Sequence, residues 1–243
     1  MTDAHPAPRA AFELSPEQGP AELLFLLFHG LGGCADNMRP LATRLREQYP
    51  QAMIVGVDAP SPYDAGTGGF QWFAVEDGSE AARAEGVAST LPLFIATVRA
   101  MQSRFDMGWE RTALFGFSQG ATMVLESVQA QPRLAGRVVA FAGRYASMPV
   151  LAPMDTTVHM LHGLADRVAP FRPQVDAARQ LVALGADVTA DVMPEIGHEL
   201  HPSLLDKALE QLRTFIPKRV WRAAMSEAPI VSRQASSREL GQD

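Results

Sequence analysis

Short apolar runs bounded by turn residues alternate with longer stretches of helical period along most of this chain, a pattern that admits few folds other than stacked βα units. The runs at 22–29, 52–57, 112–117, 138–142, 157–161 and 188–193 read as strands. The stretches at 37–49, 79–105, 119–129, 172–184 and 202–215 read as helices, with Pro92 expected to interrupt the second. Several strands are apolar throughout, which is what burial on both faces requires. The expected fold is therefore α/β, a mostly parallel central sheet with helices on both faces. Within 172–184 the residues Val175, Ala178, Leu181, Val182 and Leu184 have helical spacing and read as one core-facing stripe, with Gly185 placed as its C-cap.

The chain has 243 residues, of which 47% are hydrophobic and 20% charged, so it buries a core and is not disordered as a whole. No internal linker is visible, and the length suits one α/β domain over 21–221. Pro6, Pro8, Pro16 and Pro20 make 1–20 a loose N-terminal arm with at most one short strand near Phe12. The Ser-, Arg- and Glu-rich tail over 222–243 is expected to be mobile. The net charge of −6, without a basic stripe, excludes nucleic acid as a partner. The single cysteine, Cys34, excludes an internal disulfide framework and suits a reducing, cytoplasmic compartment. The longest apolar run, 23–28, falls far short of the ~20 residues that span a bilayer, so no transmembrane segment is expected. The N-terminus lacks the apolar stretch of a signal peptide.

Gly116-Phe-Ser118-Gln-Gly120 has the G-x-S-x-G form in which a serine sits on a sharp turn from strand to helix. A serine hydroxyl is a poor nucleophile unless a neutral imidazole takes its proton and a carboxylate holds that imidazole. On this fold those partners follow the serine in the order acid, then histidine. His198, in the turn after the last strand, occupies the position expected of the base. His201 is its near competitor, and otherwise a polar residue at the start of the last helix. Asp166, in the loop after 157–161, is the expected acid. Asp155 lies on the wrong side of that strand, and Asp187 and Asp191 belong to the next one.

Phe28-His-Gly30-Leu31-Gly32-Gly33 supports two readings. As an oxyanion loop, the Leu31 amide would join that of Gln119 against a developing negative oxygen. As a dinucleotide fingerprint, Gly30-Leu-Gly32-Gly-Cys-Ala35 fits G-x-G-x-x-A with Asp58 ending the next strand, although the helix starts late for it. Cys34 lacks the elbow that Ser118 has, and reads as a loop residue. Trp72 and Phe73, in a Gly-rich stretch, either line a substrate cleft or pack a loop onto the core. Gly66, Gly68 and Gly69 are not a phosphate loop, since no G-K-[ST] follows.

Together, Phe-His-Gly-Leu-Gly-Gly at 28–33, Gln-Trp-Phe at 71–73, Gly-Phe-Ser-Gln-Gly at 116–120, His-Gly-Leu-Ala-Asp at 162–166 and Gly-His at 197–198 resemble the phospholipase/carboxylesterase family of α/β-hydrolases, over residues 20–216. Within it, the bacterial esterase branch is the most similar. The resemblance implies an α/β-hydrolase fold without a large lid, a Ser118, Asp166, His198 triad and an oxyanion hole from the Leu31 and Gln119 amides. It further implies that Trp72 and Phe73 border the acyl site, that no cofactor or metal is used, and that the partner is a small-molecule ester. Gly143-Arg144-Tyr145 and the tail depart from the thioesterase pattern. The expected function is cleavage of small carboxylic esters with short to medium acyl groups. Acyl-protein thioesterase or lysophospholipase activity is the alternative on the same fold, and a dinucleotide-binding or non-catalytic binding module the alternative from another class.

Overall fold

The computed structural model describes residues 9–63, 68–74 and 78–227. Residues 1–8 of the expected arm, 228–243 of the expected tail, and Gly66 lie outside the described residues. The strands are β1 (Arg9–Leu14), β2 (Leu23–Phe28), β3 (Ala52–Asp58), β4 (Ser61–Pro62), β5 (Phe70–Gln71), β6 (Thr112–Phe117), β7 (Arg137–Phe141), β8 (Thr157–Gly163) and β9 (Asp187–Met193). The helices are α1 (Arg39–Gln48), α2 (Glu80–Arg104), α3 (Gln119–Ala130), α4 (Arg172–Ala183), α5 (Pro202–Thr214) and α6 (Lys218–Glu227). One seven-stranded sheet has the order β1-β3-β2-β6-β7-β8-β9, parallel except for β1, and β4 and β5 form a separate two-stranded ladder.

The continuous apolar run of β2 divides by the two-residue period of a strand. Leu24, Leu26 and Phe28 face a core completed by α2, α3 and α4, while Phe25 and Leu27 face a second core completed by α1 and α5. Strand order reverses between β2 and β6, so the carboxyl ends of these two strands open the crevice where open α/β sheets bind ligands. The 142–156 connection between β7 and β8 contains neither helix nor strand.

Four readings of the sequence need correction. The one short strand expected near Phe12 is present, but the arm is not loose where it is described: Arg9–Leu14 pairs antiparallel with β3, from Arg9 opposite Asp58 to Leu14 opposite Ile54, and Phe12 is buried. Pro92 does not interrupt α2, because Pro92 and Ala88, whose carbonyl its ring leaves unbonded, are on the exposed side. Val87, Phe94, Val98 and Met101 anchor the helix to the core on both sides of it. In α4 the buried face is Gln174, Ala177, Ala178 and Leu181, whereas Val182 is 63% exposed because β9 is the sheet edge and no described residue covers that flank. The expected cap of α4 is in place: Gly185 has φ +84°, its N–H donates to Val182 O, and the Ala186 N–H donates to Leu181 O. Finally, residues 222–227 of the expected mobile tail continue α6, whose start is held by the Lys218 N–H donating to Asp187 Oδ2 (2.8 Å) and by Lys218 Nζ donating to Gly185 O (2.9 Å).

His159, on β8, is fully buried beside Thr189, and burial with the nearby Arg137 charge pushes its imidazole down to about 3. The unfolded chain takes up a proton there near pH 6.5 that the folded chain refuses. This contribution to stability is complete above that pH and is lost progressively as pH falls toward 3. The urea midpoint is expected to drop between pH 7 and 5, and His159→Asn to flatten that dependence. A midpoint that stays constant over this range would contradict the assignment.

Candidate active site

Ser118 stands between the end of β6 and the first residue of α3 with φ 53° and ψ −113°, a strained conformation for a residue with a side chain. The turn is this tight because strand and helix nearly touch. A Cβ on Gly116 would lie 2.4 Å from Gly120 O, and one on Gly120 would lie 2.2 Å from Phe28 O. Any side chain at either position would push the elbow apart. The result lifts Ser118 Oγ off the sheet, half-buried and facing the 194–201 turn.

That turn, between β9 and α5, carries His198, whose ring packs on Phe117 with centroids 5.0 Å apart. Nε2 lies 3.0 Å from Ser118 Oγ, and Nδ1 lies 2.7 Å from Asp166 Oδ2. The Ala165 N–H donates to Ile196 O (3.0 Å) and joins this turn to the loop bearing Asp166. Asp166 is buried. Its Oδ1 accepts from the Val168 and Ala169 amides at 2.9 and 2.8 Å. Burial alone would raise its pKa, but the Ala169 amide, His198 and the Val168 amide together hold the carboxyl below its ordinary value. The structure thus brings Ser118, Asp166 and His198 into one chain of hydrogen bonds.

Sequence reasoning passed over two buried histidines here. His162 Nε2 lies 3.2 Å from Asp166 Oδ2 and 2.7 Å from Ala169 O, both acceptors, so this nitrogen carries a proton and braces the carboxylate. Its place four residues before Asp166 was a readable signal. His29 Nδ1 lies 2.7 Å from Gly30 O and its Nε2 accepts the Ala59 N–H at 3.0 Å, which fixes a single neutral tautomer. Burial favours that neutral form by lowering its pKa. A trans peptide points its carbonyl and N–H in opposite directions. With the Gly30 carbonyl turned to His29, the Leu31 N–H points away from His29. Neither the Leu31 nor the Gln119 amide N–H has an acceptor among the described residues.

Trp72 and Phe73 pack onto the core, 1% and 3% exposed, with the Trp72 ring edge-on to Phe28 and Phe94. Trp72 Nε1 donates to His29 O (2.8 Å), its N–H donates to Gln119 Oε1 (3.0 Å), and Gln119 Nε2 donates to Phe73 O (2.8 Å). This network ties the two loops that carry the free amides. Trp72 and Phe73 also border a cleft of about 430 Å³ against α2, which Ser118 and His198 do not line.

The rival features take other places. Asp58 Oδ1 accepts the Ala35 N–H at 2.7 Å, and α1 begins only at Arg39, so neither element of the dinucleotide fingerprint is arranged for a cofactor. The Cys34 N–H donates to Asn37 Oδ1 in the short turn before α1. His201 is the N-cap of α5, its Nδ1 accepting the Ser203 N–H at 3.2 Å. His201→Ala is therefore expected to cost about 1 kcal/mol of stability, measured by urea unfolding, and to leave ester turnover within about twofold. A loss of turnover comparable to that of His198→Ala would reopen the choice of base.

A phospholipase/carboxylesterase family profile matches residues 10–216. The chain belongs to the phospholipase/carboxylesterase family. Its relatives there include esterase YpfH of Escherichia coli (strain K12), 42% identical over 87% of this chain and 90% of that protein. Acyl-protein thioesterase 1 of Kluyveromyces lactis is 29% identical over 71% of this chain and 82% of its own length. Among solved structures, esterase PE8 superposes with a TM-score of 0.79 at 27% identity, covering 85% of this chain and 99% of that one. The fold of the family, an α/β-hydrolase sheet carrying the elbow at its centre, is the fold described above. Among the described residues no helix is long and apolar enough to cross a membrane.

Proposed function

We propose that this family member is a serine esterase that cleaves small carboxylic esters through an acyl-enzyme. The observation that carries the reading is the Asp166–His198–Ser118 hydrogen-bond chain ending on a strained, accessible serine. His198 Nε2 takes the Ser118 proton as Oγ attacks the ester carbonyl. The negative oxygen of the tetrahedral intermediate is met by the Leu31 and Gln119 amides. His198 then gives the proton to the leaving alcohol, and later draws one from the water that releases the acid. Asp166 keeps the proton on Nδ1 and stabilises the imidazolium. No step needs a metal or organic cofactor.

Leu31, Leu164 and Val168, all exposed apolar side chains, project from the loops that carry the oxyanion amide and the acid. Their exposure, with no helix in the 142–156 connection to close over them, suits a short or medium acyl group. The lone Cys34 continues to favour a cytoplasmic setting. The thioesterase relatives make thioester cleavage the second reading. Steady-state rates on matched butyryl oxoesters and thioesters test the choice. Turnover of the oxoester at equal or higher kcat/KM supports the esterase reading, and a large excess for the thioester favours the other.

A further inference from the structure

Gly143-Arg144-Tyr145 follows β7 after Ala142, and the chemistry above makes no use of it. A Cβ on Gly143 would lie 2.3 Å from Ala121 Cβ and 2.8 Å from Ser118 O, so the segment rests against the elbow. From there the Arg144 side chain reaches α2, where Nη2 donates to Glu80 Oε1 at 2.6 Å. Arg83 stands one turn along the same helix. Its Nε is buried, and its guanidinium makes no hydrogen bond among the described residues. Burial first, then the nearby Arg144 charge, lowers its pKa, and Glu80 offsets this only in part. This end of α2 also touches the opposite wall of the crevice. A Cβ on Gly86 would lie 2.7 Å from Ala74 O and 3.3 Å from Phe73 Cβ, and Phe73 O is bonded to Gln119, the neighbour of Ser118. Arg144 thus follows a residue that packs on the elbow, and Arg83 stands one turn before a residue that packs on Phe73.

The Glu80 carboxylate that Arg144 holds is exposed, and Arg83 reaches it through charge alone. An exposed pair of this kind is weak and exchangeable. The planar fork of arginine matches the two oxygens of a carboxylate, and Arg144 already holds one. We propose that Arg83 and Arg144 form an anion subsite beside Ser118, and that the preferred substrates are monoesters of small dicarboxylic acids, the free carboxylate displacing Glu80. The proposal rests on the esterase reading and names its substrate class.

The test compares kcat/KM for monomethyl glutarate with that for methyl valerate, in which a methyl group replaces the carboxylate. The wild type is expected to favour monomethyl glutarate at least tenfold. That ratio should collapse toward one in Arg83→Gln and Arg144→Gln, rise in Glu80→Gln, and shrink in 0.5 M NaCl. Because each ratio is taken within one variant, a change in folded fraction cancels. A wild-type ratio of one or less, or a ratio that both arginine changes leave untouched, overturns the subsite while the esterase reading stands. If neither ester is turned over and Ser118 takes no fluorophosphonate, the esterase reading falls and the subsite with it.

Discussion

Ser118→Ala is expected to lower kcat/KM for p-nitrophenyl butyrate by about 10⁴-fold, with the circular dichroism spectrum unchanged. The loss is large because the other members of the site act only through this oxygen. In the proposed mechanism His198 takes its proton from Ser118 Oγ, 3.0 Å away, and the Leu31 and Gln119 amides would meet an oxyanion that forms only once Oγ has attacked. The residual rate would be what the two amides and substrate positioning confer on attack by water. The fold should tolerate the change, since among the described residues the hydroxyl hydrogen-bonds only to His198, and alanine keeps the backbone that Gly116 and Gly120 permit. Retention of more than a tenth of the activity would remove Ser118 as the nucleophile.

Asp166→Asn is expected to lower kcat by about 10³- to 10⁴-fold at neutral pH. The direction follows from the hydrogen bonds around the carboxylate. Two backbone amides, of Val168 and Ala169, point at one oxygen, so an asparagine there must present its carbonyl to them. Its NH₂ then faces His198 Nδ1 and the Nε2 proton of His162. To accept from that NH₂, His198 must move its proton to Nε2, where it can no longer take one from Ser118. The carboxyl of the native protein is held below its ordinary value. Its contribution to stability is thus present above about pH 4 and lost as pH falls through the lower folded value. The rate defect of Asp166→Asn should accordingly persist across the neutral range, as a kcat profile from pH 6 to 9 would show. A wild-type rate would take Asp166 out of the mechanism.

The parts legible in the sequence were those set by local pattern. Strands buried on both faces, such as β2, announce themselves as unbroken apolar runs. The elbow does so because only glycines fit where α3 passes Phe28 and its own strand. His198 could be preferred to His201 from its place in a turn just before a helix, and His201 is found capping that helix. What stayed hidden depended on partners far away in sequence. β1 could be placed near Phe12, but not its pairing with β3, whose residues lie far along the chain. α6 is held by Lys218 reaching back to Asp187. Trp72 and Phe73 could be placed on a loop, but not turned inward, because the groups that hold them are His29 and Gln119. Arg144 was visible as a departure from pattern, and its meaning came only when Glu80 and Arg83 stood beside it.

The central claim, that Ser118 is an activated nucleophile, is tested most directly by treating the folded protein with a fluorophosphonate and mapping the modified peptide by mass spectrometry. A stoichiometric adduct on Ser118, absent in Ser118→Ala and strongly slowed in His198→Ala, is the predicted result. An unmodified Ser118 in well-folded protein, or an adduct on Cys34 instead, would contradict it.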